Sequence, residues 1–323
     1  MSSWLRSLTI SEQIGLLFVI VFGLLAIATA AAVARSLRDM SPEKQASHDA
    51  MLHDLRAMWI GTVLFWISWV SGAFVATLLF AVVSFLALRE FITLTHTRRG
   101  DHRALLAAFF VVTPVQYMLA GGQYFDLFSV FIPVYAFAAL PFLAALGNDP
   151  TRFLERTAKI QWGVMVCVYG MSHAPAILLL EFNNYQDRGA FLVLYLVMVV
   201  AAAQIVQQWA SRRLRRRPVA RQISRTFSWR AWAIGALAGG VVGGLLFWIT
   251  PFKPPQALFI GFVASGCGTL GALVMQALKR DAGVRHWGGR ASVTGAVGLL
   301  DRVAPLCFAA PVFFHSVRWY FGA

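Results

Sequence analysis

The sequence predicts an all-helical bundle embedded in a membrane, and three observations carry that prediction. Apolar runs of about 20 residues recur along the whole chain, each long enough to cross a hydrocarbon layer about 30 Å thick. Only 13% of the residues are charged against 59% hydrophobic, and the mean hydropathy is +0.66, far from the balance of a soluble domain. Once the apolar runs are removed, no segment remains that would bury a core of its own.

In order, the runs lie near 14–34, 58–71, 74–88, 104–120, 124–146, 159–180, 190–210, 231–250, 256–278 and 303–321. They make ten spans, or nine if the 31 uncharged residues from Met58 to Leu88 form one tilted helix instead of two that turn near Gly72. The first run ends in "ATAAAVAR", a small-residue pattern like a signal-peptide cleavage site. Its length and the embedded chain downstream make it read as an anchor. Residues 1–57 therefore form an N-terminal span with an amphipathic linker, and 58–323 form the main membrane domain.

The net charge of +14 comes from 24 Arg and 4 Lys against 14 acids and gathers in a few loops. Arg89, Arg98, Arg99 and Arg103 follow one span, Arg152, Arg156 and Lys159 follow another, and the stretch from Arg212 to Arg230 holds eight Arg and no acid. By the positive-inside rule these loops share the cytoplasmic side, facing anionic lipid. A nucleic-acid partner is excluded, because the basic loops are short and hang between spans. Cys167, Cys267 and Cys307 lie in apolar runs without CxxC spacing, which supports neither a disulfide framework nor a thiolate metal site. Gly266, Gly268 and Gly271 spell GxGxxG inside an apolar span with no preceding strand, so it is not a dinucleotide loop. The "AGGVVGG" run at 238–244 reads as close helix packing. His173 and His315 sit in apolar surroundings as packed, hydrogen-bonded residues, neither with a partner at metal-ligand spacing.

The C-terminal quarter carries a pattern of its own. Lys279, Arg280 and Asp281, then Gly283, Trp287 and Gly288, then Gly295 and Gly298, then Asp301 and Arg302 stand at the spacing of a known signature. "LCFAAPVFFH" at 306–315, "FLALREF" at 85–91, "FSVFIPVYAF" at 128–137 and "MSHAPAILLL" at 171–180 add to it. Together they resemble the phosphatidate cytidylyltransferase, or CDP-diacylglycerol synthase, family over roughly residues 58–320. That resemblance implies a membrane enzyme of phospholipid biosynthesis that joins CTP to phosphatidate and releases pyrophosphate with Mg2+.

The departures from the family pattern are specific. Ala272, His286 and Ala304 stand where the family carries acids, Gln276 replaces a Ser, and Ala296 replaces a His. Ala203 and Gln204 replace an Asn-Asp pair, and of a second block only Ser224 and Trp229 survive in "SRTFSWRA". Nucleotidyl transfer brings two polyanions together, and Mg2+ at such a centre wants oxygen ligands, chiefly carboxylates. Between residue 188 and the C-terminus only Asp281 and Asp301 are acidic. The expectation is a catalytically degenerate family member that keeps a pocket for a phosphate or lipid headgroup. An active phosphatidate cytidylyltransferase is the alternative, and a lipid transporter or scramblase is a third idea that nothing in the sequence favours.

If the chain is active, the resemblance assigns catalysis to Asp301, Lys279 and Arg280, with Asp301 and Asp281 holding Mg2+; otherwise no cofactor is expected. Phosphate would be held by Lys279, Arg280, Arg302, Arg285 and Ser224. Arg and Lys at span ends follow from topology alone as well. Expected partners are a phosphatidate-like phospholipid, CTP if the chain is active, and either a second copy or an active lipid-synthesis enzyme. The composition suits a bacterial inner membrane, with the site facing the cytoplasm.

Overall fold

The computed structural model describes residues 9–36, 42–93, 95, 97–182, 185–186, 188–214, 217–283 and 298–322. Among these the chain forms ten helical rods, one on each expected run: α1 (Ile10–Ser36), α2 (Pro42–Val70), α3 (Gly72–Thr93), α4 (Arg99–Gly121), α5 (Phe125–Ala145), α6 (153–178), α7 (Gly189–Leu214), α8 (Trp229–Leu245), α9 (Pro254–Asp281) and α10 (Leu299–Phe321). Six of them, α1, α3, α4, α5, α7 and α9, are long and apolar enough to cross a membrane. The others are shorter or carry charge. Helix α8 has 17 residues, the apolar part of α2 is Met58–Val70, α6 opens on Glu155, Arg156 and Lys159, and α10 opens on Asp301 and Arg302.

The Met58–Leu88 stretch is two helices. Helix α2 ends at Val70, and Gly72 takes φ +84, a conformation open to glycine and costly for other residues. Residue 57, where the sequence divides the chain, lies inside α2, since Pro42 sets the first turn of a helix that runs through the charged linker. The chain parts instead into two compact units, Met1–Gly72 and Ala73–Ala323. In the first, α1 and α2 pair through Leu25, Ala32 and Leu55, with Trp59 Nε1 donating to Thr29 Oγ1 at 3.0 Å.

In the second unit α7, α8, α9 and α10 pack most densely on one another. Small residues make this possible. A Cβ on Gly243 would stand 2.8 Å from the Ala257 carbonyl oxygen, and one on Gly268 would stand 2.8 Å from that of Pro305. The glycine-rich run and the GxGxxG spelling are therefore both helix-packing surfaces. Helices α4, α5 and α6 each contain a π turn, at Ala108–Val112, Phe131–Ala136 and Val164–Gly170.

The loops before α4 and α6 are held together by a buried ionic cluster. The Arg156 guanidinium, 5% exposed, meets Asp101 Oδ1 at 3.0 Å, Asp149 Oδ2 at 3.0 Å and the Asp149 carbonyl at 2.9 Å, and it also reaches the Thr151 carbonyl. Asp101, fully buried, accepts the Arg98 backbone N–H at 2.9 Å. This Arg156 is more than one of the topogenic cations of its loop. The Thr151 backbone N–H, then its hydroxyl, and then Arg156 and Arg98 hold the Asp149 carboxyl below its ordinary value of 3.8. A depressed carboxyl stabilises the fold fully above its unfolded value and loses that contribution as pH falls through its folded one. Melting temperature in detergent should thus hold steady down to about pH 4 and fall below it; a profile flat to pH 2 would remove Asp149 from the cluster's energetics.

Candidate functional site

Helices α7 and α9 both run toward the same end of the bundle, where the segment from 217 to 228 crosses between them. Between these elements lies a polar cleft of about 90 Å³. Gln204, Gln207, Gln208 and Ser211 line it from α7, at spacings of three and four that share one helical face. Thr269, Ala272, Leu273 and Gln276 line it from α9 on the same logic, and Ser224, Thr226 and Phe227 close it. Four of the positions singled out in the sequence, Gln204, Ser224, Ala272 and Gln276, thus meet in one place. Amides and hydroxyls share the walls with Phe227, Ala272 and Leu273; none of these lining residues is an acid.

Ser224 is 5% exposed, and its hydroxyl oxygen accepts the Phe227 backbone N–H at 3.3 Å and that of Thr226 at 3.4 Å. It organises the turn as well as lining the cleft. Ser228 then caps α8 by accepting the Ala231 N–H at 3.3 Å. The surviving Trp229 is exposed and packs edge-on to Trp232.

One turn beyond Gln276 on α9 stands Lys279, whose Nζ lies 2.5 Å from Asp301 Oδ1. Both are partly buried, and Asp301 sits in the first turn of α10, where the helix dipole favours a carboxylate. Two of the three catalytic candidates, Lys279 and Asp301, therefore neutralise each other across helices. Arg280 and Asp281 end α9 exposed, and Arg302 is partly buried. Arg285 lies outside the described residues, as do His286, Trp287, Gly295 and Ala296. Arg212, Arg213, Lys279 and Arg280 all occupy last turns of α7 and α9, the ends at which backbone carbonyls favour cations. Ala304, 1% exposed, belongs to the apolar core beside Met275 and Leu300 rather than to the cleft.

Glu90 of α3 reads from the sequence as an acid at the cytoplasmic end of its span that could reach a lipid-facing site or pair with Arg89; the structure gives it a capping role. It is 4% exposed, and its carboxylate accepts the backbone N–H groups of Leu299 at 3.1 Å and Leu300 at 3.4 Å. It caps α10 from another helix. A signal was present: an acid two residues beyond the apolar run that ends at Leu88, and a helix whose N-cap position, Gly298, has no side chain to cap it.

Mg2+ needs carboxylate and phosphate oxygens in near-octahedral array. The cleft offers neutral amides and hydroxyls, Asp301 is engaged by Lys279, and no group of three His, Cys, Asp or Glu converges among the described residues. Among the described residues the donor set does not fit a resident Mg2+.

An all-helical membrane bundle with a polar cleft between its C-terminal helices, and a cationic margin at one end, defines a polytopic membrane protein. The chain belongs to the cytidylyltransferase family, that of phosphatidate cytidylyltransferase, whose model matches residues 54–320. It is also 35% identical over 268 residues to the uncharacterized protein YnbB of Escherichia coli (strain K12), covering 81% of this chain and 85% of that protein.

Proposed function

We propose that this chain is a catalytically degenerate phosphatidate cytidylyltransferase relative, seated in a bacterial inner membrane with its cleft toward the cytoplasm. It holds a phospholipid headgroup or phosphate without consuming CTP. One observation carries the reading: Ala272, where the family carries an acid, meets Gln204, Ser224 and Gln276 in a cleft whose polar groups are amides and hydroxyls. Amides and hydroxyls hydrogen-bond a glycerol or phosphate oxygen, and Lys279, Arg280 and Arg302 supply positive charge at its margin. They do not hold the cation that would stabilise a departing pyrophosphate.

The active alternative has one observation in its favour. The Lys279–Asp301 pair is kept, and Glu90 anchors the turn that presents Asp301. Incorporation of radiolabelled CTP into lipid, with phosphatidate and Mg2+, separates the two when run beside phosphatidate binding by the same folded preparation. The expected result is retained lipid and no incorporation. Incorporation that disappears in Asp301→Ala would overturn the degenerate reading.

A further inference from the structure

A second cluster of chemistry-bearing side chains lies on α6 and α10, and the cleft does not use it. His315 stands 14 residues after Asp301 on α10, about 21 Å along the helix axis, so this is a different place in the bundle. Its Nε2 lies 3.3 Å from His173 Nε2 of α6 and 3.2 Å from the Tyr169 hydroxyl. The histidines, 142 residues apart in sequence, are side by side in space, a pairing that sequence spacing does not reveal.

We propose that His173, His315 and Tyr169 form a binding site for a borderline divalent transition metal of the zinc class. The first argument is geometric. With Zn–N bonds of about 2.0–2.1 Å, two imidazole nitrogens on one tetrahedral ion stand about 3.3–3.4 Å apart and their ring centroids about 5.1–5.3 Å apart. The nitrogens here are 3.3 Å apart and the centroids 5.2 Å. For an N–H···N hydrogen bond 3.3 Å is long, and a collinear one at that length would hold the centroids farther apart.

The second argument concerns the outer partners. A metal-bound imidazole generally donates its other N–H to a carbonyl or carboxylate, which fixes tautomer and ring. His173 Nδ1 lies 2.6 Å from the Tyr169 backbone carbonyl, an acceptor only, so Nδ1 carries the proton and Nε2 offers a lone pair toward His315. Tyr169 closes the π turn Val164–Gly170, the kind of helix irregularity frequent at functional sites. Ser172 donates to the same carbonyl at 2.9 Å and in turn accepts from the fully buried Gln116 at 3.2 Å, so the support is itself held.

The setting suits a cation despite its depth. Phe128 and Phe314 wall the His173 ring at centroid distances of 4.8 and 5.2 Å. Arg318, one turn beyond His315, has its charge met by Asp126 Oδ1 at 2.6 Å. Imidazole and phenol oxygen select zinc-class ions over Mg2+, and three protein donors leave a fourth position for water or an external ligand. The Tyr169 hydroxyl also donates to the Ser129 carbonyl at 3.2 Å, leaving its oxygen lone pairs as the donors toward a metal.

The test uses the full-length chain, purified in detergent with a tag that contains no histidine, stripped with chelator and titrated with Zn2+ and, spectroscopically, with Co2+. About one equivalent should bind, with a tetrahedral Co2+ absorption band, and Zn2+ should raise the melting temperature. His315→Gln, at the half-buried ligand, should weaken binding about 100-fold or more and abolish the Zn2+-dependent melting shift, and His173→Gln should do the same. Tyr169→Phe should weaken it less, while His102→Gln, exposed and distant in sequence, should leave it unchanged. Should His173→Gln fail to fold, His315→Gln and Tyr169→Phe decide. No saturable binding by folded wild-type chain, or equal binding by His315→Gln, would overturn the site. Neither outcome bears on CTP turnover, so this proposal and the degenerate reading fail independently.

Discussion

Arg156→Ala is expected to cost about 3–5 kcal/mol of unfolding free energy, because it strips the counter-charge from a fully buried Asp101 and leaves that carboxylate stranded. The value of the ion pair itself is smaller. Taking two charges out of water nearly offsets their attraction, so a double variant Arg156→Ala with Asp101→Ala should recover much of the loss. Arg156→Lys should rescue only in part, since one ammonium cannot reproduce a guanidinium that spans Asp101, Asp149 and two backbone carbonyls. Unfolding in mixed detergent micelles measures all three. A single-variant loss under about 1 kcal/mol would place the cluster among exposed pairs of little worth.

That cluster also shows what one sequence leaves hidden. Hydropathy and the loop cations locate the rods, because membrane insertion depends on local apolar length and charge, both written in the order of residues. Of the predicted site residues only Ser224 lines the cleft; Gln204, Ala272 and Gln276 stand out as departures from the family pattern. A helical period of 3.6 sets Ala272 and Gln276 on one face of α9 and Gln204 and Gln208 on one face of α7, and the family pattern ties those faces to Ser224. Partnership across the chain is a different matter. Arg156 and Asp101 are 55 residues apart, His173 and His315 are 142, and Glu90 and Leu299 are 209. Nothing in the local pattern of charge tells a cation that faces lipid from one buried against an acid. Asp301 and Lys279 were both legible as site residues, yet their mutual neutralisation, which weakens each as a ligand, depends on the approach of α9 to α10.

The same long-range logic makes Glu90→Ala the sharpest link between fold and site. Two N–H groups at the start of α10 would lose a charged acceptor in a buried setting, and a charge-assisted hydrogen bond there is worth about 1.5–3 kcal/mol. The expected loss of stability is about 2–4 kcal/mol. Glu90→Gln should recover roughly half, since its amide oxygen still accepts one N–H but carries no charge to meet the dipole. The functional readout follows from position. Leu299 and Leu300 precede Asp301 directly, so a frayed first turn releases Asp301 from Lys279 and alters the cationic margin of the cleft. Phosphatidate binding should therefore change in Glu90→Ala at temperatures where the chain is still folded, and zinc binding near the other end of α10 should not. If lipid and zinc binding instead fell together, Glu90 would be holding the whole of α10 in place, and the independence of the two ends would be lost.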